Sequence, residues 1–456
     1  MSAELASAGY EIDVITLPSP LTSDVAARSR PSLHERITVH EVEPRQDSLL
    51  TFVNRLVRLR LSLSLRLRRS LGPDSPVERK PAGGGASLPP RLPPPVGSDE
   101  KSDWPATTGP PLPLTQPLSL IRGALGAWSL LREERRWVSP GLKSARALAR
   151  EKLYDAVITS GPPHLAAMIG EGVAREHGIP FLADYRDPWT LDRVHKPSAR
   201  WVGGWHVQRW HERKVVKAAS AVIMNTDAAA DAMRTAFPSV ARRVFVVRNG
   251  SDPEDRRDSP HRDRFVVLYA GSLYLRRDPR LLFSAARLLI DECGLSPEQL
   301  QIRLIGNVKE YQGTPTRQLA EASGISDYVR IDGFLSRQQA LTAASEASVL
   351  VCLPDGIMYN VQAKVYEYAQ LEAWLLAFVA RNSAMEQLLL PLGADLVYDE
   401  SVEDAADRLA RRWRDFSDGE RPARLDEHST LARRGQIERL VRVLSARGVP
   451  APRPSD

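Results

Sequence analysis

From Tyr154 onward, short apolar runs rich in β-branched residues alternate with longer stretches whose apolar positions recur every three or four residues. The first pattern predicts buried strands and the second amphipathic helices. "YDAVITSGPP" reads as strand and loop, "PHLAAMIGEGVAREHG" as a helix, and "IPFLADYRDPW" as the next strand and loop. "VQRWHERKVVKAA" and "DAAADAMRTAF" read as helices, interleaved with the strands "SAVIMNT" and "RVFVVRNG". After a polar link, a second series opens with "FVVLYAGSL" and "RDPRLLFSAARLLIDEC". It closes with the "AKVYEY" helix, the "LLAFVA" strand and the helix "SVEDAADRLARRW". Upstream, "SAELASAG" reads as a helix and "EIDVITLP" as a strand. Strands alternating with helices predict parallel sheets covered on both faces. The fold class expected is therefore α/β, with two Rossmann-like doubly wound domains. Residues 1–255 are expected to form the first domain and 256–425 the second; 426–456 should be a helix crossing back over the first, and a tail.

Composition changes this picture in the first domain. Thirteen of the 35 prolines fall between Pro73 and Pro117, beside Gly83–Gly85, so residues 72–118 read as a linker-like insertion without a core. Just ahead lies "RLVRLRLSLSLRLRR", Arg55 to Arg69, with six arginines and no acidic residue. A core-facing element is the plainer reading of it, and contact with an anionic membrane surface is the alternative. The chain opens without the basic and apolar regions of a signal peptide, and no apolar run reaches the length of a span. A cytoplasmic protein is expected, with peripheral contact at the inner membrane face through Arg55–Arg69. Cys293 and Cys352 lie far apart, and the histidines form no metal-type spacing, so no metal is expected. Nucleic acid is not an expected partner, since the arginine-rich run lacks interleaved aromatics.

In open parallel sheets, ligands sit beyond the carboxyl ends of the strands. "TSGPPH" places Ser160, Gly161 and His164 there, and "DYRDPW" places Asp184, Arg186, Asp187 and Trp189. "RNG" adds Asn249 and Gly250, "AGSLYLRRD" adds Gly271, Ser272, Arg276 and Arg277, and "AKVYEY" adds Lys364 and Glu367. Each has a bland account as a turn former or a solvated charge. For Lys364 and Glu367, three apart, that account is a surface ion pair stabilising by about 0.2–0.5 kcal/mol. A phosphate-bearing ligand explains the group together: Gly271 and Ser272 for backbone approach at a helix start, Arg277 and Lys364 for a diphosphate, Glu367 for a hydroxyl. No Walker lysine motif or GxGxxG is present, which disfavours a P-loop NTPase or an ordinary nicotinamide enzyme.

The order of "TSGPPH", "ADYRDPW", "VVRNGSD", "YAGSLYLRRDPRLL", "LIGN", "VRIDGFLSRQQAL" and "AKVYEYAQLEAWLLAFV" resembles family 4 glycosyltransferases. These are retaining enzymes of the two-domain GT-B fold that use nucleotide-sugar donors, and the resemblance covers roughly Tyr154 to Trp413. It implies donor binding by Gly271, Ser272, Arg277, Lys364, Asn249, Gly250 and Gly306. It implies chemistry at Glu367, Asp187 and Arg186, and an acceptor side at Ser160, Gly161, His164 and Trp189. The chain departs from the family in three places. Tyr359 stands where an earlier Glu is common, and "LEAWLLA" replaces a glycine turn. The first helix also comes without the family's preceding strand and Gly-rich loop.

The implied function is transfer of a sugar from a nucleoside-diphosphate sugar to a glycan or lipid-linked acceptor, in cell-surface polysaccharide synthesis. The nucleotide sugar is a substrate, and no cofactor is expected. A nucleotide-sugar 2-epimerase and a non-catalytic nucleotide-sugar binder are the alternatives. Tyr359 in place of a Glu counts against the epimerase.

Overall fold

A computed structural model describes residues 2–17, 34–44, 136–191, 202–252, 255–259 and 263–451. The Arg55–Arg69 segment and the proline-rich insertion at 72–118 lie outside the described residues.

The first domain begins with helix α1 (Ser2–Ser7), strand β1 (Ile12–Thr16) and strand β2 (Ile37–Glu41). Helix α2, residues 136–151, follows. Next come β3 (Val157–Gly161), α3 (Ala167–His177), β4 (Phe181–Tyr185), α4 (Val202–Ala218), β5 (Ala221–Met224), α5 (Asp227–Ala236) and β6 (Val244–Val246). The parallel strands β3, β4, β5 and β6 make a four-stranded sheet in chain order. β1 and β2 form a separate parallel pair. Asp13 of β1 reaches the residues ahead of β3, accepting from the Tyr154 hydroxyl at 2.9 Å and from Lys152 Nζ at 3.0 Å.

The second domain carries β7 (Phe265–Ser272), α6 (Pro279–Cys293), β8 (Leu300–Asn307), the short strands β9 (Glu310–Tyr311) and β10 (Thr314–Pro315), α7 (Thr316–Ala322) and β11 (Val329–Gly333). It continues with α8 (Arg337–Ser345), β12 (Val349–Cys352), α9 (Lys364–Tyr368), β13 (Trp374–Val379), α10 (Ala384–Leu389), β14 (Asp395–Tyr398) and α11 (Val402–Ser417). Its six strands run in the order β11-β8-β7-β12-β13-β14, all parallel. Chain order reverses between β7 and β12, the kind of switch point where a crevice opens above such a sheet.

Local chemistry sets these elements. Thr226 caps α5 by accepting from Ala229 N at 3.1 Å. Ser336 and Gln339 form a capping box at the start of α8. Both α3 and α6 end on a left-handed glycine, Gly178 and Gly294, where a side chain would be strained. The central strands β4, β5 and β12 are buried along their whole length, which explains their continuous apolar runs.

The last helix, α12 (Arg433–Ser445), packs on the first sheet: Ile437, Leu440, Val443 and Leu444 share a core with Leu182, Ala221, Ile223 and Leu5. The crossing helix expected from the sequence is therefore present, and the two domains are the Rossmann-like pair. The sequence patterns did not indicate α2, the β9–β10 hairpin, α10 or β14.

Candidate active site

At the top of the second sheet, β7 and β8 end in register, with Gly271 opposite Gly306 and Ser272 opposite Asn307. A Cβ at Gly306 would stand 2.2 Å from Gly271 O, and its φ of 112° disfavours a side chain independently. Gly306 is thus required by close backbone approach. Gly306→Ala is expected to cost about 1–3 kcal/mol and to displace the Gly271 turn. Thermal melts check this; an unchanged melting temperature would show the two turns are not so tightly apposed.

Lys364, at the start of α9, reaches back to this turn. Its Nζ donates to Ala270 O at 3.0 Å and lies 4.0 Å from the centre of the buried Tyr269 ring. A Cβ at Gly271 would meet that Nζ at 3.4 Å. Burial, reinforced by Arg277, pushes the Lys364 ammonium down to about 8, against the pull of Cys352 and Asp355. Arg277 is 15% exposed, sits over the Tyr274 ring at 4.6 Å and approaches Asp355 at 3.5 Å. Its buried Nε has no hydrogen-bond partner among the described residues. Lys364, Arg277, Gly271, Ser272 and Gly306 therefore converge on one place, with Asp355 as an unanticipated neighbour.

Two expectations need correction. Lys364 and Glu367 do not pair with each other: Glu367 Oε1 accepts from Arg337 Nη2 at 3.0 Å, and Lys364 turns to Ala270. The reason is that α9 has only five residues, and each side chain leaves it toward a different packing partner. The start of α6 is also not an open anion site, because Asp278 caps it by accepting from Arg280 N at 2.9 Å.

In the first domain, Arg186 donates through Nε to buried Asp184 at 2.8 Å and through Nη1 to Asn249 Oδ1 at 3.3 Å. Ser160 Oγ donates to the same Asp184 oxygen at 2.8 Å. His164 stacks on Trp189 with ring centres 5.3 Å apart. A cavity of about 270 Å³ is lined by Ser160, Arg186, Arg248, Asn249, Gly250 and Arg433 among others. Gly250 has a packing reason to be glycine, since a Cβ there would meet Arg433 Cα at 2.6 Å. Asp187 accepts from Asn360 Nδ2 of the second domain, and Thr226 Oγ1 donates to Tyr359 O at 2.6 Å. The Tyr359 side chain packs on the first-domain core. Asn360 and Arg337 are contacts that sequence spacing could not reveal, because each joins segments distant in the chain.

The loop behind Trp189 is anchored from below. Arg209 Nη1 donates to Thr190 Oγ1 at 3.0 Å and to Glu212 Oε2 at 2.9 Å. Burial pushes the Glu212 carboxyl upward, against the downward pull of Thr190 and Arg209.

A pair of doubly wound domains with such a crevice defines the GT-B class. A sequence model of the family described as Glycosyltransferase Family 4 matches residues 106–255. The chain is 28% identical over 276 residues to an alpha-D-kanosaminyltransferase of Streptomyces kanamyceticus, covering 55% of this chain and 65% of that one. It is 28% identical over 183 residues to D-inositol 3-phosphate glycosyltransferase 1 of Catenulispora acidiphila, covering 37% of this chain and 43% of that one. It thus spans less than two thirds of either relative's length. A solved glycosyltransferase structure from Rickettsia africae superposes with a TM-score of 0.52 at 9% identity, covering 68% of this chain and 81% of the other, a likeness of fold. The chain is thus similar, over part of its length, to glycosyltransferases of family 4.

Proposed function

We propose that this chain transfers a sugar from a nucleoside-diphosphate sugar to a glycan or lipid-linked acceptor. The observation that carries the proposal is the convergence of Lys364 and Arg277 on the Gly271–Gly306 turns, at the switch point of the second sheet. Two cations with one nearby carboxylate, Asp355, leave the place net positive, as a diphosphate requires. Fixed positive groups aimed at a leaving diphosphate stabilise the charge that develops on it. The family match over residues 106–255 and two relatives named as glycosyl- or kanosaminyltransferases support the same reaction type.

In this reading Lys364 and Arg277 hold the diphosphate, and Gly271, Ser272 and Gly306 give it backbone access. Glu367 accepts from hydroxyls of the donor. Asn249 and Gly250 belong with these donor groups, and Arg186, Asp187, Ser160, Gly161, His164 and Trp189 line the acceptor side. Transfer with retention and a role in cell-surface polysaccharide synthesis are the finer parts of the reading. So is membrane contact by Arg55–Arg69, although no helix among the described residues is long and apolar enough to cross a membrane. Tyr359 in place of a Glu counts against the epimerase alternative.

The test is incubation with a panel of nucleotide sugars, with and without glycan and lipid acceptors. Nucleoside diphosphate and a glycosylated product should appear only when both substrates are present. Conversion of donor alone to an epimer, or no turnover with measurable donor binding, would replace the proposal with one of its alternatives.

A further inference from the structure

Glu367 does not stand alone in the site: it is held by a residue to which neither the sequence motifs nor the family resemblance gives a role. Arg337 is the first residue of α8, and the Ser336–Gln339 capping box fixes the helix start from which it projects. Ser336 Oγ accepts from Gln339 N at 3.3 Å, and Gln339 Oε1 accepts from Ser336 N at 3.0 Å. From this base the guanidinium hydrogen-bonds two carboxylates and lies 3.8 Å from a third, Asp252. Nη2 donates to Glu367 Oε1 at 3.0 Å and to Asp255 Oδ1 at 2.5 Å, while Nε reaches Glu367 Oε1 at 3.3 Å.

The two carboxylates differ in kind. Asp255 is fully buried, and its other oxygen accepts from Asp252 N at 2.8 Å. Asp252 in turn pairs with Arg433 Nε at 2.7 Å, at the start of the helix that crosses to the first domain. Asp255 is therefore a fixed anchor at the junction of the domains. Glu367 is half-buried, and its Oε2 accepts from no described residue. One oxygen is clamped and the other is left available.

We propose that Arg337 is a positioning residue: by clamping Glu367 Oε1 to the Asp255 anchor, it presents Oε2 in one orientation to a hydroxyl of the donor sugar. The proposal rests on the donor reading of Glu367 given above. Because Arg337 itself is 53% exposed, the pairs contribute little to global stability and their effect is one of orientation. A carboxylate free to sample several rotamers would lose much of its alignment with the reacting sugar.

The groups around Glu367 make the clamp visible without any activity. Burial raises its carboxyl above the ordinary range, Asp255 and Asp252 add to the rise, and Arg337 opposes it. Removing Arg337 should therefore raise it further.

The experiment uses the full chain as wild type, Arg337→Met and Arg337→Lys. Calorimetry is run with UDP against UDP-glucose and with GDP against GDP-mannose. In Arg337→Met, affinity for the nucleotide sugar should fall about tenfold while affinity for the matching nucleoside diphosphate is kept. Arg337→Lys should recover part of the loss. Equal loss for both members of a pair, or no loss for either, overturns the proposal. In parallel, the Glu367 side-chain carboxyl is titrated by ¹³C NMR, assigned with Glu367→Gln. An upward shift in Arg337→Met is expected, and an unmoved titration overturns the clamp. If wild type binds none of the four ligands while the titration shifts, the clamp stands, but its role in presenting Glu367 to a sugar falls with the donor reading.

Discussion

Lys364→Met is expected to weaken nucleoside-diphosphate binding about ten- to a hundredfold, the value of a charge-assisted hydrogen bond. The same change should leave the fold as stable as before, or more stable, below pH 8. Both effects follow from the position of one amine. Lodged against Tyr269 and Ala270 O, the ammonium is pushed down to about 8, chiefly by burial. An unfolded lysine titrates near ~10.4, so folding favours the neutral amine. The cost of holding it charged is present in full below about 8 and fades as pH rises toward the unfolded value. Methionine fills the same space without that cost, so the variant's advantage in thermal melts should be greatest near neutral pH and shrink on the alkaline side. Binding runs the other way. A diphosphate needs the ammonium, so wild-type affinity should fall as pH rises through about 8, and the variant should show no such fall. Arg277→Ala should weaken binding by a similar factor and keep the pH step, moved upward, because Lys364 still titrates and no longer feels the Arg277 charge. A Lys364→Met protein that binds UDP and GDP as wild type does, at every pH from 7 to 10, would remove the phosphate assignment.

The strand–helix alternation was readable because each unit is local: an apolar run, a cap and an amphipathic face lie within about twenty residues. Several of the elements that escaped lack such a signature. α10 has six residues and the β9 and β10 strands two each, too short for any period to show. Residue choice at the site was legible for a related reason. Gly271, Arg277 and Lys364 stand at the ends of recognisable strands or at a helix start, and the fold decides that those ends meet. What residues do there was less legible, because their partners are distant in the chain. Lys364 and Ala270 are 94 residues apart, and Arg337 and Glu367 are 30 apart. Helical spacing suggested a Lys364–Glu367 pair, and packing separated them. The same limit hid Asn360: only the apposition of two domains brings it to Asp187.

Glu367→Gln is expected to lower kcat about a hundredfold, with little change in the melt. The pair with Arg337 is 53% exposed on the arginine and 31% on the glutamate, so losing it should cost less than about 1 kcal/mol, and Arg337 keeps its bond to Asp255. Because burial raises the Glu367 carboxyl, its ionised form is disfavoured by folding, and the neutral amide escapes that penalty. The chemical effect has a different origin. An ionised carboxylate accepts from donor hydroxyls on Oε2 while Oε1 is held, and this charge-assisted contact orients the sugar for transfer. Gln can present an amide oxygen or an amide nitrogen, and only one of these accepts. Wild-type kcat/KM should therefore fall as pH drops through a value above the ordinary Glu range, since the protonated acid has lost the acceptor. That acid limb should be absent in Glu367→Gln. The measurement is transfer rate against pH for both proteins, alongside melts on the same preparations. Retention of wild-type kcat with the acid limb intact would assign that limb to another group and return Glu367 to a surface ion pair with Arg337.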